Sequence, residues 1–375
     1  MSPRAAALRS QFVPASAAAK TATLSLVPGR TLAEALELAA YVLIGFLVLR
    51  MVTHRRDIRR IMFTLVAAGV FEALYGMFEL YRKNPRLLFY RKTFGLESAT
   101  GTFVNRNHFA GYLEMVIPLA LGLFISRVDL FGEPGASWRA RFQRLLSRGF
   151  ASNLLLAGGL VVMSVALLLS NSRSGAVVLV FSFMLAFLLA AVHYGHARLR
   201  QRWVRRFLKI SMAVVLLIVL VQGLETMIGR FSADKLLQDG RPLYWGTVLT
   251  MIGRFPLFGV GLGAFGEVFQ AFDTTGMEYA LVHAHNDYLE YLCELGFIGF
   301  GLLAFAVGWI LFKSFQTWAQ RRHPEIKGLA LGGLVSVSAI LLHSLADFNL
   351  RIPANALVFA VVLSLTLRTV YHRKT

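Results

Sequence analysis

Apolar runs of about twenty residues recur along the whole chain, the length an α-helix needs to cross a hydrocarbon core of roughly 30 Å. They predict nine spans, over 33–51, 60–80, 107–127, 152–170, 174–194, 208–227, 287–312, 327–346 and 353–371. Strands of alternating polarity are absent, which disfavours a β-barrel. Hydrophobic residues make up 56% of the 375 positions and charged residues only 16%, well below the quarter or so of a soluble domain. The expectation is an all-α integral membrane protein, a polytopic bundle with no soluble domain, low-complexity tail or clear internal repeat. Its predicted parts are an N-terminal tail over 1–32, a single membrane domain over 33–375 and one main outer loop over 228–286. Residues 1–30 lack a compact apolar region followed by a small-residue cleavage site, so the first membrane helix is expected to direct targeting.

The charge is lopsided, 39 Lys and Arg against 20 Asp and Glu. A pI near 10.7 suggests nucleic acid by reflex, but the basic residues sit in short loops between apolar runs. That is the distribution the positive-inside rule and anionic head groups produce, so membrane lipids are the expected partners and nucleic acid is not. The basic segments Arg55 to Arg60, Arg139 to Arg148, Arg198 to Lys209, Arg321 to Lys327 and Arg368 to Lys374 fall on one side of a nine-helix path, the predicted cytoplasmic side. The tail breaks the pattern: Arg4, Arg9, Lys20 and Arg30 would face outward unless it lies on the membrane as an amphipathic segment. The single cysteine, Cys293, excludes an internal disulfide and a cysteine metal cluster, and reads as packing.

The outer side collects the unusual polar groups. Arg106 and His108, Arg173, Arg241, His283 and His285, and Asp347, Asn349 and Arg351 come from five separated stretches. Outward cations run against the usual bias, and an anionic ligand is the simplest reason for them. In HAHNDYLEYLCELGFIG, residues 283–299, Asn286 or Asp287 can cap the helix that starts there. Asp287, Glu290 and Glu294 then share one helix face. Favourable interaction with the positive helix end accounts for Asp287 as well as a function does. Glu294, two turns deeper, reads as orienting something polar. Either histidine, with an unperturbed pKa of roughly 6.5, can act as a general base near neutral pH. H-x-H also suits a metal, but no third ligand of suitable spacing is evident, so neither metal nor cofactor is expected.

Arg173, at the mouth of NSRSGAVVL (171–179), reads equally as snorkelling to lipid phosphate or as binding an anion. Arg241 precedes Pro242, which can open a helix, and by itself the segment reads as carrying a solvated loop arginine. Gly261, Gly263 and Gly266 spell G-x-G-x-x-G, but without a strand–turn–helix unit they read as tight turns, not a nucleotide site. GTFVNRNHFAGYLEMVIPLALGL (101–123), with Glu114 in an early turn, and HSLADFNLRIPANA (343–356) both pass between polar and apolar. Capping explains their asparagines, not Arg106, His108, Asp347 and Arg351 together.

In this order the segments resemble the O-antigen ligase and polymerase superfamily of bacterial envelope glycosyltransferases. The closest likeness is His285-Asn286 followed after nine residues by Gly296 and after two more by Gly299. Gly240-Arg241 with Trp245, the PLFGVGLGAF run, SRSG at Arg173 and the two asparagine-rich segments add to it; the likeness runs roughly from residue 100 to 352. The resemblance implies a GT-C-like bundle in the bacterial inner membrane, with a periplasmic loop bearing short helices. It implies transfer of a glycan from undecaprenyl diphosphate to a hydroxyl of a glycan or of lipid A core, on the periplasmic face and without a metal. His285 is then the implied base and Arg173 and Arg241 the diphosphate clamps, with His283, Arg106 and Arg351 as secondary candidates for donor or acceptor binding. The competing reading is a transporter or flippase of a lipid-linked anionic glycan, which would place polar groups along a path to the membrane midplane. The sequence shows them crowded at one side, and it says nothing of oligomeric state.

Overall fold

The computed structural model describes residues 24–82, 85–128, 150–194, 241–273, 280–320 and 323–371. Ten helices appear among them: α1 (Pro28–Met51), α2 (Arg55–Leu80), α3 (Arg106–Val128), α4 (Phe150–Leu169), α5 (Arg173–Tyr194), α6 (Arg241–Arg254), α7 (Phe265–Phe272), α8 (Asp287–Gln320), α9 (Pro324–His343) and α10 (Pro353–Tyr371). A two-residue antiparallel hairpin, β1 (Arg86–Leu87) and β2 (Tyr90–Arg91), follows α2. Seven of these helices, α1, α2, α3, α4, α8, α9 and α10, are long and apolar enough to cross a membrane. α5 has a shorter apolar stretch, Arg173–Leu189. The protein is a polytopic all-α membrane protein. The predicted span over 208–227, the basic loops over 139–148 and 198–209, and the first 23 residues of the tail lie outside the described residues. α1 starts at Pro28, inside the stretch expected to be tail, because proline suits a first helical turn and Leu26 and Val27 are already buried before it.

The described residues fall into two compact units. One takes those within Met1–Ile44, Ile228–Gly308 and Ser344–Arg351; the other takes those within Gly45–Met227, Trp309–His343 and Ile352–Thr375.

The larger unit is organised around α3 and α9, most of whose apolar window lies inside the protein. Small residues let the two backbones approach closely: a Cβ on Gly122 would lie 2.5 Å from the Gly328 carbonyl oxygen, and one on Gly332 would lie 2.8 Å from that of Pro118. Ser336 adds a hydroxyl donated to the Met115 carbonyl at 2.6 Å. α2, α4, α5 and α10 pack around this pair. At one end of the unit Arg59 pairs with Glu325 at 3.0 Å, and Arg55 meets His323 at 2.9 Å. Two of the basic segments predicted to share a side therefore touch. The other end gathers residues 97–108, the start of α5 and Asn355, through Asn171 donating to the Glu97 carbonyl and Asn355 donating to that of His108.

The smaller unit has its own apolar core, in which Leu26, Val27, Tyr244, Met251, Val260, Phe265, Phe269 and Cys293 are buried. Cys293 packs there, as its apolar setting in the sequence suggested. Its short helices α6 and α7 occupy the described part of 228–286. The sequence predicts one continuous span from 287; the structure breaks that helix at Gly296, with φ 62° and ψ −177°. The break frees backbone groups, and the glycine-rich loop takes them up. Val260 and Gly261 N–H donate to the carbonyls of Cys293 and Glu294 at 3.0 and 2.9 Å, while Phe297 and Ile298 N–H donate to Pro256 and Leu257 at 2.7 and 3.2 Å. No side chain fits between the two segments. A Cβ on Gly259 would sit 2.3 Å from the Glu294 carbonyl, and one on Gly296 would sit 2.4 Å from that of Leu257. Of the G-x-G-x-x-G run, Gly261 and Gly263 turn at positive φ as expected, Gly261 at the seam, while Gly266 lies within α7.

Candidate functional site

The smaller unit builds a polar cluster on the HAHND segment, and its backbone is strained at one point: His285 has φ 49°, in the left-handed region that a β-carbon makes costly. The residues either side over-determine it. Ala284 N–H donates to Glu290 Oε2 at 2.8 Å, and its carbonyl accepts the indole N–H of Trp245 at 2.9 Å. Asn286 caps α8, its Oδ1 accepting the Leu289 N–H at 3.1 Å while its amide donates to Leu345 at 3.0 Å. Asp287 accepts the Ser344 hydroxyl at 2.7 Å and the Leu350 N–H at 3.1 Å. A loop conformation that would relax in isolation is clamped by α6, α8 and residues 344–350.

Two histidine–carboxylate pairs result. His285 Nδ1 lies 3.2 Å from Asp347 Oδ1, and His283 Nδ1 lies 2.9 Å from Glu290 Oε1. Both acids are buried, and both imidazoles are about a third exposed, 32% for His285 and 30% for His283. The rings share Phe348, which stacks on His283 at 4.2 Å between centroids and meets His285 edge-on at 4.8 Å. Asp347 is itself fixed by the Phe348 N–H at 2.8 Å. A buried carboxylate that accepts Nδ1–H selects one tautomer and leaves Nε2 with the lone pair, the arrangement of a general base held by an acid.

Behind the histidines the acids of α8 converge on one cation. Arg351 Nε approaches Glu290 Oε1 at 3.1 Å, an ion-pair contact without hydrogen-bond alignment, and its Nη2 donates to Glu294. Its guanidinium lies 4.0 Å over the Tyr291 ring. Burial alone would lower the Arg351 pKa, but Glu294 and Glu290 outweigh it and raise it above the ordinary value. The side chain is only 5% exposed, so this arginine is engaged by the protein's own carboxylates. The face-sharing of Asp287, Glu290 and Glu294 holds, and Glu294 does orient something polar, namely Arg351 and the Phe265 N–H at 3.1 Å. Among the described residues no group of three or more His, Cys, Asp or Glu is disposed to hold a metal ion.

The remaining candidates are placed as follows. Arg241 is the first residue of α6, the helix whose Trp245 grips the histidine segment. In the larger unit, Arg106 and Arg173 are exposed at the first residues of α3 and α5. The asparagines around Arg106 are structural: Asn105 Oδ1 accepts the Asn107 N–H at 2.8 Å, and Asn355 anchors the His108 carbonyl at 3.0 Å. Asp347 read in the sequence as one outward polar group among several; its pairing with His285 spans 62 residues and leaves no local signal. Phe348 and Trp245 were likewise without a role, although Trp245 belongs to the GR-and-tryptophan likeness.

No curated protein matches the chain. Residues 158–304 match the family model described as O-antigen ligase, a stretch that contains Arg173, Arg241, His283, His285 and Gly296 and ends before Asp347. The match supports the O-antigen ligase and polymerase superfamily.

Proposed function

We propose, from an O-antigen ligase match over residues 158–304, that this chain is a glycosyltransferase acting on a saccharide linked to undecaprenyl diphosphate in the bacterial inner membrane, with its site on the periplasmic face. The observation that carries the reading is the strained, one-third exposed His285 with its Nδ1 on buried Asp347.

The chemistry asks little more. A diphosphate is already a good leaving group, so the protein must take one proton, stabilise departing charge and hold the partners together. His285 Nε2 removes the proton of the acceptor hydroxyl as its oxygen bonds to the anomeric carbon. The bond from that carbon to the phosphate oxygen breaks, and its electron pair leaves on undecaprenyl diphosphate. Asp347 stabilises the imidazolium that forms. Arg173 and Arg241 serve as the diphosphate cations, since guanidinium grips phosphate oxygens bidentately and stays charged beside a bilayer. His283, on its own carboxylate, and exposed Arg106 are the further candidates for binding donor or acceptor glycan. Arg351 supports the site from behind by pairing with Glu290 and Glu294. No step calls for a metal. The acceptor is a hydroxyl of a glycan or of lipid A core.

The test is His285→Ala in the full-length protein. Transfer from an undecaprenyl-diphosphate-linked oligosaccharide should be lost while donor binding stays within twofold. Continued transfer, or a variant that still moves the glycolipid across a vesicle membrane, overturns the proposal, the second in favour of a transporter. Glycolipids of a deletion strain then separate a ligase, which leaves polymer on its carrier, from a polymerase, which leaves single repeat units capped onto lipid.

A further inference from the structure

The turn that opens α5 is fixed at nearly every residue. Ser170 Oγ donates to the Leu167 carbonyl at 2.5 Å. Asn171, at φ 55°, donates its amide to Glu97 at 2.9 Å. Ser172 Oγ accepts the Gly175 N–H at 3.2 Å, and a Cβ on Gly175 would lie 2.8 Å from Ala110 of α3. Arg173 stands exposed on this turn.

The next side chain leads inward. Ser174 Oγ lies 2.9 Å from His343 Nε2, and His343 Nδ1 lies 3.0 Å from both carboxylate oxygens of Glu114. His343 and Glu114 are fully buried, on α9 and α3. The line runs from a half-buried hydroxyl to a carboxylate inside a membrane-spanning helix, and it joins the three helices α3, α5 and α9.

Such groups are expensive in this setting, and apolar side chains would pack three helices together without the desolvation penalty. A hydrogen-bonded chain gives direction, which apolar contact does not. With Nδ1–H donated to Glu114, His343 Nε2 accepts the Ser174 hydroxyl, which locks that side chain and stops the turn from rotating about the helix axis. The residue whose direction this sets is Arg173.

We propose that Glu114, His343 and Ser174 are positioning residues that aim Arg173 at the diphosphate of the lipid-linked donor. The inference rests on the reading of Arg173 as a diphosphate clamp. It assigns work to a buried acid and imidazole that the transfer step itself does not use.

A double-mutant cycle on the full-length protein in nanodiscs tests it, with undecaprenyl diphosphate as the probe and unfolding temperature followed in parallel. Ser174→Ala and His343→Gln should each weaken the Kd about tenfold, by analogy with the lower end of the loss when a partner that orients a metal-binding side chain is removed. In an Arg173→Ala background neither should weaken it further. Glu114→Gln, which keeps an acceptor for His343, should lose less affinity than Glu114→Leu. Should His343→Gln not fold, Ser174→Ala decides the cycle, since it removes one hydroxyl at a half-buried position. Losses that add fully to that of Arg173→Ala, or a Kd unchanged in Ser174→Ala, overturn the positioning role alone. A Kd unchanged in Arg173→Ala overturns the clamp itself and the positioning role with it.

Discussion

A one-third exposed imidazole on a wholly buried carboxylate makes a specific demand of the acid: it must stay an acceptor for Nδ1–H. Asp347→Asn replaces it with an amide whose NH2 can turn toward the ring and favour the other tautomer, putting the proton on Nε2 where the lone pair is needed. We expect transfer to fall by roughly 10²- to 10⁴-fold while donor affinity holds, the range in which a triad acid acts; steady-state kinetics beside a binding isotherm check it. An equal loss in both would mean that Asp347 only holds the loop. None of this could be read ahead from the chain. His285 announces itself through the polar start of a long apolar helix, whereas Asp347 sits in a second polar segment beside Asn349 and Arg351, with nothing local to say which of the three meets the histidine. Arg351 shows the same limit: an outward arginine and an arginine folded back onto Glu34, Glu290 and Glu294 look alike in sequence.

The helix α8 shows what periodicity reports and what it omits. Its apolar length predicts a span and its first-turn polarity a cap at Asn286 or Asp287, and Asn286 is the one that caps. The break at Gly296 leaves no trace in hydropathy, because glycine is tolerated in membrane helices and only its φ of 62° shows the interruption. Beyond the break, residues 297–320 at about 1.5 Å each make roughly 36 Å, enough to cross a hydrocarbon core by themselves, so the turns before it can stand outside. Gly296→Ala adds both a strained φ and a Cβ 2.4 Å from the Leu257 carbonyl. We expect it to cost about 1–3 kcal/mol from the backbone alone, with the seam to residues 256–261 opened as well. A fall in unfolding temperature, with transfer lost before helicity, is the measurable result. An unfolding temperature equal to wild type would mean the seam is dispensable.

At the scale of the molecule, lipid-facing surface is where sequence reading is strongest. α1 and α8 keep almost all of their apolar window outside the protein, as helices bathed in hydrocarbon do, while α3 and α9 bury most of theirs against neighbours. Hydropathy sees four spans and cannot tell the two kinds apart; what separates them is that Gly122, Gly328 and Gly332 meet facing backbone while Gly301 and Gly308 of α8 meet nothing among the described residues. Sidedness is directly testable because the one native cysteine, Cys293, is buried and should stay unlabelled by a membrane-impermeant maleimide. Val104→Cys, exposed before α3, should label in intact cells. Arg56→Cys, exposed near the start of α2, should label only after permeabilisation. The reverse pattern would put the glycan chemistry in the cytoplasm.

The stitched break in α8 has one more consequence. Because two backbone hydrogen bonds tie Cys293 and Glu294, before the break, to residues 256–261 and two more tie Phe297 and Ile298, after it, to the same residues, the start of that helix and the His285 imidazole ahead of it rest on a scaffold that does not have to tilt with the part beyond Ile298. Bilayers of shorter or longer acyl chains should therefore re-angle the lower part of α8 and leave turnover nearly level across them. A steep optimum at one chain length in reconstituted vesicles would show instead that the two halves move as one rod.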